Sequence, residues 1–155
     1  MIKLQCGGEI GYDSKAALTL EWSEAEWEPV YVECINGATR GEDFRAMNVM
    51  GEVPVMEDGD LILTQSGVIQ DYVSSKTGKL GGRSAAERRD ILRWMFFDNH
   101  KVSGIAGVLR FNTNFLPEEK RNADVNAFLL MRLTSALKVM ETQLEDTPYL
   151  AGDAL

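Results

Sequence analysis

Val53-Pro54 and Gln65-Ser66 are two dipeptides whose chemistry can be stated before any fold is known. Proline is the usual route to a cis peptide bond, about 5–6% of X-Pro bonds being cis in folded proteins. A cis Val53-Pro54 bond at the start of a strand leaves the Val53 N–H and C=O pointing outward. There they can pair with an extended peptide, as an added strand does at an open sheet edge. Taken alone, Pro54 reads as the start of an ordinary edge strand; beside Gln65-Ser66 the binding reading prevails. Gln65 and Ser66 precede Val68, Ile69, Tyr72 and Val73, an apolar stripe at helical spacing. Free N–H groups and the dipole at a helix start favour a carboxylate. The same geometry is served if Thr64 or Ser66 caps the helix, and both can hold at once.

Other reactive side chains are few. Cys6 and Cys34 are the only cysteines, too few for a secreted disulfide scaffold, and they read as reduced thiols of a cytoplasmic protein. With no C-x-x-C pair, thiol–disulfide exchange through Cys6 is the weakest functional reading. His100 is the only histidine and has no Cys or carboxylate cluster at ligand spacing, so no metal site is expected.

The elements that must hold these residues alternate in the first half. Met1 to Cys6 reads as a strand ending in Gly7 and Gly8, and Asp13 or Ser14 can cap a helix through Glu21. Pro29 to Cys34 is a β-branched and aromatic run, so a second strand, parallel to the first across the helix. A turn at Asn36-Gly37 and a short helix within Gly41–Asn48 lead to two apolar runs, Val53–Glu57 and Leu61–Leu63. The turn Asp58-Gly59-Asp60 between them is a strong hairpin signal. The next helix ends at Gly78. The order is β-α-β, a short helix, β-β and α: an α/β domain over residues 1–77 with a mixed four-stranded sheet.

Residues 78–84, with three glycines, form the linker. Ser84 and Glu87 make a capping box that opens a long helix. Asn112 to Pro117 breaks its pattern. A second helix carries Val125, Phe128, Leu129, Leu133, Ala136, Leu137, Met140 and Leu144 at spacings of three and four. Residues 85–155 therefore read as an all-α domain, incomplete because two helices cannot bury two full apolar stripes on each other. The 155 residues are 45% hydrophobic and 26% charged, with a net charge of −8. That charge argues against nucleic acid as partner. No apolar run approaches the roughly 20 residues of a membrane span, and the N-terminus lacks the apolar core of a signal peptide.

The run from Asn48 through Gly51, Val53-Pro54, the acidic hairpin and Gln65-Ser66 to Tyr72 resembles the core motif of the cytosolic glutathione S-transferases, bacterial type. The linker, the long helix and the ending Pro148-Tyr149-Leu150-Ala151-Gly152-Asp153-Ala154-Leu155 are similar to the same family in register. The resemblance implies a thioredoxin-like first domain. It also implies that glutathione is a substrate, its cysteinyl backbone on Val53 and Pro54 and its γ-glutamyl carboxylate at Gln65 and Ser66. Arg40 aligns with the residue that meets the glycyl carboxylate, which an Arg fork suits; a solvated surface charge is an equal reading. Gln65 stands where many relatives have Glu, so Asp98 or Asn99 could supply the missing charge for the ligand's ammonium. Glu52 stands where relatives often have a base or an amide, and is expected to weaken anion binding unless it points away.

The main departure is Ile10, at the position where relatives place the hydroxyl that activates the thiol. Tyr12 and then Ser14 are the nearest replacements, since a hydroxyl lowers a thiol's pKa by bonding its anion. Phe97 and Lys101, with Trp94, Phe96 and Phe111 nearby, fall where the family binds an apolar electrophile. The family further implies a homodimer in the cytoplasm, with no metal, nucleic acid or membrane as partner. Relatives continue beyond Leu155, so a C-terminal truncation is expected, leaving apolar stripes that a second copy could cover. The resemblance leads to a transferase; Ile10 and the truncation keep a catalytically silent glutathione-binding or interaction module as the alternative.

Overall fold

A computed structural model of the chain describes residues 1–8 and 10–153, so Ala154 and Leu155 of the expected ending lie outside the described residues. The chain divides after Gly81 into two units. The first begins with β1 (Ile2–Cys6), α1 (Gly11–Trp22) and β2 (Trp27–Tyr31), with β1 and β2 parallel from Ile2 opposite Trp27 to Cys6 opposite Tyr31. A short helical turn (Ala38–Arg40) and α2 (Glu42–Met47) follow, then β3 (Val55–Asp58), β4 (Leu61–Thr64) and α3 (Ser66–Thr77). The sheet order is β2-β1-β3-β4, with β3 antiparallel to both neighbours. This is the mixed four-stranded sheet expected from the pattern.

β2 begins earlier than the β-branched run suggests. Its length is set by β1, which ends at Cys6 where Gly7 and Gly8 turn away; Val32 N–H still reaches Cys6 O at 2.8 Å before Cys34 N–H turns back to Val32 O. Pro29 is tolerated because β2 is an edge strand. α1 also starts earlier, with Ile10 at its N-cap and no side-chain cap. Asp13, expected at the cap, instead bonds the Gly7 N–H outside the helix.

Alternation along β3 builds the core on both sheet faces. Met56 joins Ile2, Leu4, Ala16, Leu20, Ile69 and Val73 on one face, while Val55 joins Val32 and Phe44 in a second cluster. The tight connection between β3 and β4 has Gly59 at φ 63°, the left-handed region its turn requires. Gly78 at φ 71° stops α3.

In the second unit Ser84 accepts the Glu87 N–H at 3.2 Å and opens α4 (Ala85–Phe97), while Glu87 reaches back to the Arg83 N–H at 2.6 Å. A π-helical turn (Asp98–Ser103), α5 (Gly104–Arg110) and a second π-helical turn (Phe111–Phe115) continue the helical path. The expected break therefore comes later, at Leu116, whose extended backbone is what a residue before proline prefers. After a turn at Glu118–Lys120, α6 runs Ala123–Asp146, capped by Asn122, whose side chain accepts from the N–H groups of Asp124 and Val125. Ala136 is the buried residue of α6 among those described; Val125, Phe128, Leu137 and Leu144 of its stripe are exposed.

Replacing Met56, which is fully buried, by Ala should lower the stability of the first unit by about 3 kcal/mol. The denaturant midpoint should fall at unchanged slope.

Candidate functional site

The loop after β1 is closed by a buried carboxylate. Asp13 is 2% exposed; its Oδ2 accepts the Gly7 N–H at 2.6 Å, while Oδ1 is buried without a partner. Burial pushes its pKa up to about 6, against the pull of the Gly7 N–H. A Cβ on Gly7 would lie 2.8 Å from both Cys34 Sγ and Ile10 Cδ1, so glycine is what lets these groups meet. Burial first, and then the Asp13 charge, raises the pKa of Cys6 and of Cys34. Raised pKa values make both thiols poor nucleophiles, which removes support from a redox role for Cys6.

Ile10 packs its side chain toward Gly7 at the N-cap of α1 and contributes no hydroxyl there. Tyr12 is half-buried in the first turn with the Lys15 ammonium 4.8 Å from its ring centre. Ser14 is exposed, and its hydroxyl donates to the Ile10 carbonyl at 3.3 Å.

The second half of the site hangs on Asn48, which is 3% exposed. Its Nδ2 donates to Glu52 O at 2.7 Å and its Oδ1 accepts from Met50 N–H at 3.1 Å. Gly51 sits at φ 67°, and a Cβ there would be 2.9 Å from the Thr39 carbonyl oxygen. That close approach sets the segment holding Arg40 beside residues 51–53. Arg40 itself is exposed. The Val53-Pro54 bond is cis. Among the described residues, neither the N–H nor the C=O of Val53 has a hydrogen-bond partner.

Val55 pairs with Thr64, the last pair of the β3–β4 ladder before Gln65 and the start of α3. Gln65 connects the sheet to α3 at φ 69° and ψ 117°, a conformation that non-glycine residues rarely hold and that clusters at ligand sites. Its Nε2 lies 3.1 Å from Met50 Sδ and 3.5 Å from Glu52 Oε2, while its carbonyl accepts from Val68 and Ile69. Glu52 therefore points toward this rim rather than away. Ser66 is 5% exposed, and its hydroxyl and N–H have no hydrogen-bond partner among the described residues. Just past the last pair of the β3–β4 ladder, one strand thus carries an open backbone donor and acceptor at Val53 and the other leads into an open helix N-terminus at Ser66, groups fitted to an extended peptide with a carboxylate.

In the second unit Phe97, half-buried, packs edge-on against Trp94 with ring centres 5.4 Å apart. Lys101 stands one turn on, in the π-helical segment. Asp98 accepts from the Ser103 hydroxyl at 2.8 Å, and His100 and Asn99 are exposed. No cluster of metal-binding side chains occurs among the described residues, and no helix there is long and apolar enough to cross a membrane. Asp13 and the Asn48 clamp were not assigned from the sequence. The Asn48 bond to an N–H two residues on is an Asx-turn, which Asn before a glycine turn could have signalled; Asp13 had no such signal.

A family model described as the N-terminal domain of glutathione S-transferases matches residues 10–75. The chain is 33% identical over 146 residues to glutathione S-transferase 4 of Zea mays, covering 92% of this chain and 66% of that protein. It is 30% identical over 144 residues to glutathione S-transferase GstB of Escherichia coli K12, covering 90% and 69%. A theta-class glutathione S-transferase from Xanthomonas axonopodis pv. citri, solved with glutathione bound, superposes with a TM-score of 0.92 at 25% identity, covering 99% of this chain and 75% of that one. The chain spans 63–69% of the length of the curated plant and bacterial relatives it matches.

Asn48→Ala removes the two part-buried hydrogen bonds to Glu52 O and Met50 N–H and should cost about 1–2 kcal/mol in thermal melting. Asp13 gives a pH signature. Its carboxyl titrates at 3.8 ordinarily and at about 6 in the fold, so the folded chain holds the proton better. Stability should fall by about 3 kcal/mol as pH rises from about 4 to about 6, and then level off. Asp13→Asn should flatten that slope in denaturant titrations across pH.

Proposed function

The chain belongs to the glutathione S-transferase family, and from that membership we propose that it binds glutathione and transfers its thiolate to a hydrophobic electrophile. The observation that carries this reading is the unpartnered backbone of Val53 at the head of β3 together with the unpartnered Ser66 at the start of α3, on the two sides of the last β3–β4 pair. The cysteinyl unit of glutathione pairs with Val53 beside Pro54, and its γ-glutamyl carboxylate sits at Gln65 and Ser66. Arg40 takes the glycyl carboxylate through its guanidinium fork. Tyr12, and after it Ser14, donates a hydrogen bond that holds the thiol as its anion; Ser14 is second because its hydroxyl is already turned to the Ile10 carbonyl. The sulfur lone pair forms a C–S bond to the electrophilic carbon while that carbon's leaving group departs with its electron pair. Phe97 and Lys101 belong to the electrophile's side.

The enzyme is proposed to act as a homodimer in the cytoplasm, the exposed apolar residues of α6 being the surface to cover. Ile10 at the N-cap, carrying no hydroxyl, supports a second reading: a glutathione-binding module without turnover.

Calorimetric titration with glutathione, paired with an assay on an aromatic halide electrophile, separates the two readings. The transferase reading expects binding with turnover, about a tenfold loss of affinity in Ser66→Ala, and a loss of rate of tenfold or more in Tyr12→Phe at unchanged affinity. Binding without turnover supports the silent module. Absence of binding contradicts both.

A further inference from the structure

The sulfur atoms around the site fall into two kinds. Cys6 and Cys34 are half-buried, and burial together with the Asp13 charge raises the pKa of both, so neither readily offers a thiolate to an oxidant. Met50 is the opposite case. It is 56% exposed, and a thioether reacts through a lone pair that needs no deprotonation. Its backbone N–H is held by Asn48 Oδ1 at 3.1 Å, which fixes where its side chain begins. Its Sδ accepts from Gln65 Nε2 at 3.1 Å, and the same nitrogen has Glu52 Oε2 at 3.5 Å. The thioether therefore touches the residue whose strained backbone leads into α3.

A thioether sulfur is a weak acceptor, whereas oxidation makes the group polar and gives it a strongly accepting oxygen. Such an oxygen on Met50 takes the Gln65 amide from both of its present acceptors and ties it to the loop before β3. We propose that Met50 is a site of reversible oxidation by peroxides, and that its sulfoxide loosens glutathione binding by drawing the Gln65 amide away from the ligand. In that step the sulfur lone pair attacks the terminal peroxide oxygen. An S–O bond forms as the O–O bond breaks, and the second oxygen leaves as water or an alcohol, taking the proton. Sulfur loses two electrons and the peroxide gains them. The inference rests on the reading that glutathione binds at Val53, Gln65 and Ser66.

The test uses S-methylglutathione, which has no thiol for a peroxide to consume. The full chain is titrated calorimetrically before and after treatment with hydrogen peroxide, and the oxidised methionines are located by peptide mass mapping. Met50 should oxidise well ahead of the fully buried Met56. Saturating S-methylglutathione should slow Met50 while leaving the exposed Met131 of α6 at its own rate. Affinity should fall about fivefold as Met50 is converted, the size of one neutral hydrogen bond, and methionine sulfoxide reductases should restore it. Met50→Leu, given the same treatment, should show one affinity before and after. Complete conversion of Met50 with affinity unchanged overturns the proposal, as does an equal loss in treated Met50→Leu or a Met50 no more reactive than Met56. If the untreated chain does not bind S-methylglutathione, the glutathione reading itself fails, and the inference falls with it.

Discussion

The site depends on one buried amide. Asn48 spends its two side-chain groups on the backbone of the next four residues, donating to Glu52 O and accepting from Met50 N–H. That closes the loop into a fixed shape before β3 begins. Gly51, pressed against the Thr39 carbonyl at φ 67°, leaves no room for another residue. The Val53 backbone pair, Glu52 and the segment carrying Arg40 are therefore positioned together. The sheet does the remaining work. Val55 and Met56 are fully buried on opposite faces of β3, so the strand that leads out of the loop cannot shift register without exposing one core cluster or the other.

The electrostatics are local. A chain of net charge −8 offers a carboxylate no general attraction; in the proposed function that attraction is assigned to the N–H groups at the start of α3 and to Arg40. Negative charge is placed just as locally. Asp13 sits under the loop after β1; burial first, and then its charge, raise the pKa of Cys6 and Cys34, so the protein's own thiols are poor competitors as nucleophiles. The thiol that reacts in this account is the ligand's.

Features with short-range causes were legible in the sequence. Asp58-Gly59 marked the hairpin, Gly78 the end of α3 and Ser84 with Glu87 the start of α4, because turn and cap chemistry is written in neighbouring residues. Val53-Pro54 and Gln65-Ser66 were legible for the same reason, and they gave the core of the candidate site. What depended on distant partners was not. Asp13 has the type and position of a helix cap, and only the folded loop shows it reaching Gly7. The start of β2 at Trp27 follows from pairing with Ile2. The π-helical turns at Asp98–Ser103 and Phe111–Phe115 have no residue signature, and they carried the helical path past its expected break. The direction of Glu52 depends on the Asn48 clamp and on Gln65 across the loop.

The central claim is that an extended thiol peptide adds to the Val53 backbone with its carboxylate at the start of α3. Amide chemical-shift mapping of the isotope-labelled chain during titration with glutathione tests it most directly. Shifts are expected to concentrate at residues 50–53 and 65–67, with the Val53 and Ser66 N–H groups becoming slow to exchange with solvent. Saturable shifts confined to other segments, with Val53 and Ser66 unchanged at full occupancy, would contradict it.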